Sequence, residues 1–525
     1  MTFCSKNAVS GKTVLTGLVG AVAVWLGFPN DLIEMPPLAL LWPVALTLLG
    51  FRAASGAAAL RTGWICGLAG SAAALYWISL PVHNVGGLPW PLAVPCAILV
   101  AACLASANGF YVLAAYSLRR RPPLICAATL ALAWYLLEDV FSFVPGFPWL
   151  PLAGALAAWP VLVQAADIFG AYVLSGLWVL AALLCLVFFN NKTCLISGLS
   201  LTAALLAYGF WRLEQTPYTV EPAGPQSISV LFVDGDIDQN QKWIPAFQQA
   251  SLDAHVNLTR MGLAAVPPGE KPLIVWPETA MPFFFERMPA YDGVIRDLAA
   301  KSGCPLLLGA PALDIAANGQ RFIYNRAFLL SPLGIVPGGT VGRYNKMRLV
   351  PFGEYLPKWL DVPFLANLLQ NVGVYEEGMS AEPLRYGKLA LGMILCYETI
   401  FQPLARDRVE HGANVLVDLG NHAWFGRTPA VRQHLCLSAL RSVEQGRWLL
   451  RGTNAGLPAV IDSRGRLTVC GGRFQAQTLF ARAALATEKT IYALVAPWIL
   501  PVGLAAFVLF LFVGARIERK RHPSL

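Results

Sequence analysis

Three regimes of apolar and polar spacing divide the chain. Between residues 13 and 212, apolar residues run in long stretches with little polar relief. From 215 to about 488 they alternate, or come in short runs bounded by turn residues. From 491 to 514 a long apolar stretch returns and closes in the basic tail RIERKRH. A bilayer span takes about 20 mainly apolar residues. The pattern therefore predicts about eight spans, near 13–28, 36–51, 62–80, 90–116, 123–143, 160–189, 194–212 and 491–514. The first has the length of a signal peptide, but no small-residue cleavage site and polar start follow it, because NDLIEMPP leads directly into the next apolar run.

The middle region reads differently. SISVLFVDGDI (227–237) and LIVWPET (273–279) are strand-like, and the second ends on a carboxylate. Residues 240–263, 289–302, 399–411 and 430–446 read as helices. CPLLLGAP, FIYNRAFLLS, LALGMILCYE, NVLVDLG and RWLLRGT are further strands, and LPAVIDSRGRLTVC is a hairpin turning at SRGR. Strands alternate with helices, and many strands are apolar on both faces, which predicts an α/β layered domain around buried sheet. The expected organisation is an N-terminal membrane domain over 1–214 with about seven helices, a catalytic domain over 215–488, and a last helix with a basic tail over 489–525.

Composition sharpens this picture. The chain of 525 residues is 56% hydrophobic and only 13% charged, against about 25% charged in an ordinary soluble protein. Its net charge of +9 would suit nucleic acid, but the basic residues cluster beside apolar spans and form no stripe interleaved with aromatics. Lys6 and Lys12, Arg52 and Arg61, Arg119 to Arg121, Lys192 and the C-terminal tail fall in alternate loops, and the intervening loops carry no Lys or Arg. This positive-inside pattern predicts cytoplasmic termini and puts the 215–488 domain on the opposite face. Eleven cysteines and six histidines show no CxxC pair and no metal-ligand spacing, so neither metal nor cofactor is expected. Glu138, Asp139 and Asp167 sit in or near spans, where an ionisable group is either functional or a helix cap and interface residue.

Candidate chemistry lies at strand ends. Glu278 closes LIVWPE, Lys346 lies in GRYNKMRLVPFGEY, and Cys396 closes ALGMILC. A thiol attacks as its thiolate. A carboxylate can take its proton, and an ammonium can stabilise both the thiolate and an oxyanion. The backbone N–H of Tyr397, just after the cysteine, is positioned as a second oxyanion donor if the strand turns into a helix there. Each residue alone also fits a blander role, as a solvated charge or a core thiol, and spacing does not bring them together.

The surrounding motifs add more. WPET around Glu278, YNKMRLVPFGEYLP around Lys346 and CYETIF around Cys396, in that order, resemble the nitrilase superfamily. The PFGEYLP extension and the flanking spans resemble its membrane-embedded branch, the bacterial apolipoprotein N-acyltransferase family. The resemblance implies an α-β-β-α sandwich with Glu278 as general base, Lys346 as oxyanion-stabilising cation and Cys396 as nucleophile. It implies that Glu354 supports the lysine, that Tyr397 and Glu398 match the residues after the nucleophile, and that Trp243 matches an aromatic near the entrance. NHAWFG (421–426) departs from the usual NDAWFG, with His422 in place of an Asp, so a local hydrogen bond must differ.

The implied reaction passes an acyl chain from a membrane phospholipid, phosphatidylethanolamine being expected, through a Cys396 thioester to the α-amine of a diacylglyceryl apolipoprotein. The resemblance implies a monomer in a bacterial inner membrane with its catalytic domain on the periplasmic face. MPFFFERMP and residues 359–375 read either as a lipid-facing entrance or as core packing. The rival functions are a membrane-tethered amidase acting on a small C–N substrate and a lipid-binding relative with a dead site. The spans lack the paired charges or repeated broken helices of a transporter.

Overall fold

The computed structural model describes residues 11–144, 146–215, 226–333, 339–356 and 375–521. Lys6 and the segment 359–374 lie outside them. Two compact units emerge, one formed by Met1–Trp77, Val94–Glu214 and Leu494–Leu525, the other by Ile78–Ala93 and Gln215–Ala493.

Among the described residues, six helices are long and apolar enough to cross a membrane: Gly56–Asn84, Trp90–Leu118, Pro123–Phe143, Ala166–Leu186, Lys192–Glu214 and Ile491–Lys520. Two shorter apolar helices, Gly11–Gly27 and Pro36–Arg52, cover the first two expected spans. The sixth expected span starts later than its apolar run because Pro160–Leu162 forms a separate turn, and Gly170 adopts φ 76° within the helix that follows. Two acidic residues of the first unit have internal partners. Glu138 accepts hydrogen bonds from the Trp134 indole and the Leu152 N–H, both at 2.8 Å, so it caps the short helix Leu152–Leu156. Asp167 accepts from Tyr208 and from the Arg212 guanidinium at 2.8 Å each.

The second unit is built on two six-stranded sheets. The first contains β1 (Ser227–Asp234), β2 (Leu273–Val275), β3 (Leu306–Ile315), β4 (Arg321–Leu330) and β5 (Thr340–Asn345) in chain order, with β12 (Gln477–Ala484) outside β1. The second runs β11 (Leu467–Cys470), β10 (Ala459–Ile461), β9 (Leu449–Asn454), β8 (Val415–Asn421), β7 (Leu389–Leu395), β6 (Leu384–Tyr386). Each sheet has three parallel strands at its centre, β1 to β3 and β7 to β9, flanked by antiparallel ones.

Period-two alternation explains why these strands read apolar on both faces. Val230 and Phe232 point into a core shared with Leu391, Met393, Val417 and Leu450 of the other sheet. Leu231 and Val233 point the opposite way, onto Leu252 and Val256 of the helix Gln248–Ala264 and Ile295 of Pro289–Ser302. Ile394 and Leu416 do the same against Ala405 and Val409 of Gln402–Glu410 and Leu435 of Ala430–Gln445. The layers are therefore helix, sheet, sheet, helix. Gly452 lets the sheets pack closely at one point, since a Cβ there would lie 2.7 Å from Val275 Cγ1.

Two differences from the sequence reading have local causes. The helix expected over 240–263 is broken: Gln239–Lys242 ends at Trp243, Pro245 opens a separate turn, and the long helix starts at Gln248. The edge strands β6 and β12 leave no clear sequence pattern, because both are short or half-exposed and carry weak apolar alternation. A Gly452→Val variant should lose about 1–3 kcal/mol through overpacking between the sheets, seen as an earlier denaturant midpoint with an unchanged slope.

Candidate active site

Glu278, Lys346 and Cys396 all follow the ends of strands. Glu278 lies three residues beyond β2, in a turn whose next residue, Thr279, takes φ 48°. This turn rests on β3, where a Cβ at Gly309 would come within 2.7 Å of the Glu278 Cα, so only glycine admits the carboxylate backbone there. Lys346 follows β5 directly, and its N–H donates to the Asn325 carbonyl at 2.9 Å.

The side chains form a closed set of bonds. Lys346 Nζ lies 2.9 Å from Glu278 Oε1 and 2.9 Å from Glu354 Oε1. Asn325 Nδ2 donates to the same two oxygens, at 2.8 and 2.7 Å. The second oxygens are also used: the Asn421 N–H donates to Glu278 Oε2 at 3.0 Å and the Val350 N–H to Glu354 Oε2 at 2.8 Å. All three charged groups are buried. Burial opposes the Lys346 charge, but Glu278 and Glu354 outweigh it and hold the ammonium well above its ordinary range. Burial raises Glu354, with Lys346 pulling it back.

Cys396 stands on the turn between β7 and the helix Gln402–Glu410, with φ 50°. A left-handed cysteine is strained, and such strain collects where a side chain must be aimed. Burial pushes its thiol well up, Glu278 adds to this, and Lys346 and the Asn421 N–H oppose it. The resting sulfur is therefore a neutral thiol within the fields of a carboxylate and an ammonium. The Cys396 carbonyl lies 3.0 Å from His434 Nε2, and since a carbonyl only accepts, that nitrogen carries the proton. Burial and Arg451 hold His434 well below the usual imidazole range, so the ring is neutral.

Glu398 ties the cysteine turn to the lysine loop. It accepts from the Tyr344 hydroxyl at 2.8 Å, from the Met347 and Arg348 N–H groups at 2.6 and 3.1 Å, and from the Leu395 N–H at 2.7 Å. It is fully buried, so it fixes the backbone on either side of Lys346 and Cys396 and presents no free oxygen to a ligand. Tyr397 is buried against Phe401 with ring centroids 5.1 Å apart. Trp243 is 43% exposed and closes the short helix Gln239–Lys242. That helix is held to the site through Gln239, whose Oε1 accepts from Asn421 Nδ2 at 2.7 Å.

His422 is fully buried, and its ring packs edge-on to His434 at 5.0 Å. Arg451 approaches His422 Nε2 at 3.1 Å while its other nitrogen pairs with Asp418 Oδ2 at 2.6 Å. Burial first, then Arg451, keeps His422 neutral, so it accepts a hydrogen bond from the arginine. The departure from NDAWFG is thus accommodated by a neutral acceptor.

Phe283 and Phe285 of the MPFFFERMP run are buried in the core, Phe285 against Phe328 at 4.8 Å, and of its three phenylalanines only Phe284 is partly exposed. Sequence reasoning missed Asn325, the Asn421 N–H and Lys242. The first carried one signal, a polar residue on a buried strand position of FIYNRAFLL. Lys242 is fully buried and had no signal beyond its place beside Trp243.

A thiol on a tight strand-to-helix turn, beside a carboxylate and an ammonium in a two-sheet sandwich, is the architecture of the carbon–nitrogen hydrolase class. Residues 248–492 match the family described as carbon-nitrogen hydrolase, and residues 20–184 match the apolipoprotein N-acyltransferase N-terminal domain. An apolipoprotein N-acyltransferase of Geobacter metallireducens is 34% identical over 500 residues, covering 93% of this chain and 92% of that protein. One from Pseudomonas aeruginosa PAO1 is 30% identical over 531 residues, covering 95% and 98%. A solved carbon-nitrogen hydrolase from Helicobacter pylori is also similar, with 13% identity and a TM-score of 0.38 over 52% of this chain and 94% of its own. The chain belongs to the apolipoprotein N-acyltransferase family.

Glu398→Ala should leave a buried hydroxyl and three N–H groups without their acceptor. The expected loss is about 3 kcal/mol of stability, measured by chemical denaturation. Glu398→Gln, which keeps the shape and one acceptor, should lose less.

Proposed function

We propose that this protein is a membrane enzyme that N-acylates lipoproteins through a thioester on Cys396. The observation that carries the reading is the buried Glu278–Lys346 pair, whose field reaches the Cys396 turn, in a chain whose residues 20–184 match the N-terminal domain of apolipoprotein N-acyltransferases.

In the first half-reaction Glu278 takes the Cys396 proton as the sulfur attacks an ester carbonyl of a phospholipid. The C–O bond breaks, and the proton passes from Glu278 to the departing oxygen, giving a lysophospholipid. In the second, the neutral α-amine of a diacylglyceryl cysteine attacks the thioester. The C–S bond breaks, an amide forms, and Glu278 returns the amine's proton to sulfur. Lys346 and the Tyr397 N–H stabilise the oxyanion in both steps. Glu354 and Asn325 hold Lys346 in register, Glu398 holds the turn, and Trp243 lines the entrance. Residues 1–214 and 489–525 anchor the enzyme, residues 215–488 catalyse, and both substrates arrive by lateral diffusion. The donor is phosphatidylethanolamine. The enzyme works as a monomer in the inner membrane, with its termini cytoplasmic and its catalytic domain periplasmic.

The test is full turnover. Purified protein in detergent, given phosphatidylethanolamine and a synthetic diacylglyceryl-cysteinyl peptide, should yield peptide heavier by one acyl chain together with lysophospholipid. Cys396→Ala should yield neither, and Glu278→Gln should be slower by at least about 100-fold. Hydrolysis of small amides without peptide acylation would favour the amidase instead.

A further inference from the structure

The nucleophile turn is held from two directions, and one of the holds has no part in the reaction described above. Upstream, Glu398 Oε2 accepts from the Leu395 N–H at 2.7 Å. Downstream, His434 Nε2 donates to the Cys396 carbonyl at 3.0 Å. That carbonyl belongs to the peptide plane joining Cys396 to Tyr397. A trans peptide is planar, and its C=O and N–H point in opposite directions. Whatever fixes the Cys396 carbonyl therefore also fixes the direction of the Tyr397 N–H. The plane needs such a hold, because Cys396 sits at φ 50°, and a strained residue persists only where its surroundings over-determine it.

His434 is itself closely held. It lies in the helix Ala430–Gln445 and has no accessible surface. Its own carbonyl accepts from the Ser438 hydroxyl at 3.1 Å. Arg451 Nη1 donates to that Ser438 oxygen and to Asp418 Oδ2, each at 2.6 Å. The imidazole packs edge-on to His422 at 5.0 Å, and Asp418 Oδ2 stands 4.0 Å from its Nδ1. The ring that grips the cysteine carbonyl is thus braced by β8, β9 and its own helix. We propose that His434 is a positioning residue for the reaction, one that aims the Tyr397 N–H at the developing oxyanion by holding the Cys396 carbonyl. The same bond also strengthens the donor, because a carbonyl that accepts a hydrogen bond polarises its own amide. Lys346 is placed by Glu278 and Glu354, so the two oxyanion donors are set by separate networks.

The inference rests on the Tyr397 N–H acting as oxyanion donor in the proposed reaction, and two reactions of the Cys396 thiol test it in the full-length protein in detergent. Acylation by p-nitrophenyl butyrate passes through an oxyanion. Alkylation by iodoacetamide displaces iodide from a saturated carbon and forms none. Removing an oxyanion donor outright costs about 100- to 1000-fold, so His434→Phe, which misaims one, should slow the burst of nitrophenolate by about tenfold or more. The ester concentration at half-saturation should stay nearly constant, and alkylation of Cys396, read by peptide mass, should stay within about twofold of wild type. His434→Gln, whose amide can donate from nearly the same place, should acylate within about threefold of wild type. Wild-type acylation by His434→Phe overturns the proposal. So does alkylation that falls as far as acylation, which would mean that the histidine only keeps the turn folded, and so does a folded His434→Gln as slow as His434→Phe. If His434→Phe fails to fold, His434→Asn, whose shorter amide does not reach the carbonyl, is held to the same outcomes. Rates that shift as stated in a protein that takes no acyl chain from phosphatidylethanolamine would contradict the proposed function and support this inference.

Discussion

The Lys346 ammonium, held between Glu278 and Glu354, is the contact on which the site depends. Burying three charges costs several kcal/mol per ion, and the cost is offset only because nearly every lone pair and proton in the set has a partner. The set is also chemically poised. Moving the Cys396 proton to Glu278 carries negative charge from carboxylate to sulfur, and Lys346 lies within the field of both.

The sandwich exists to bring those groups to one edge. Glu278 and Lys346 come from the first sheet, and Cys396 and the Asn421 N–H from the second. The shared core of Phe232, Val275, Met393 and Leu450 sets the separation of the sheets. Gly309 and Gly452 mark where backbone must approach more closely than any side chain permits. Glu398 then locks the two loops that carry Lys346 and Cys396. A defect in any of these acts on the chemistry by misplacing an atom rather than by removing one.

Much of this was legible in the residue pattern. The apolar stretches marked the helices, and the doubly apolar strands marked the buried sheets. The order Glu278, Lys346, Cys396, together with the motifs around them, implied the site by resemblance, because those groups carry chemistry that few other contexts require. The break at Pro245 and the edge strands β6 and β12 were hidden, since a short or half-exposed segment has little periodicity to read. Asn325 was hidden for a different reason. Its meaning comes from the two carboxylates it meets across the fold, and a sequence shows no such meeting. His422 was visible as a departure, but its neutrality follows only from burial beside Arg451.

The central claim is that Cys396 carries the acyl group between the two substrates. The most direct measurement is intact mass after incubation with acyl-labelled phosphatidylethanolamine and no acceptor, with Cys396→Ala alongside. The account predicts one acyl chain on the wild type, removed by hydroxylamine and absent from the variant. A folded wild type that transfers acyl chains to peptide while never carrying one, or that carries one equally well as Cys396→Ala, would contradict it.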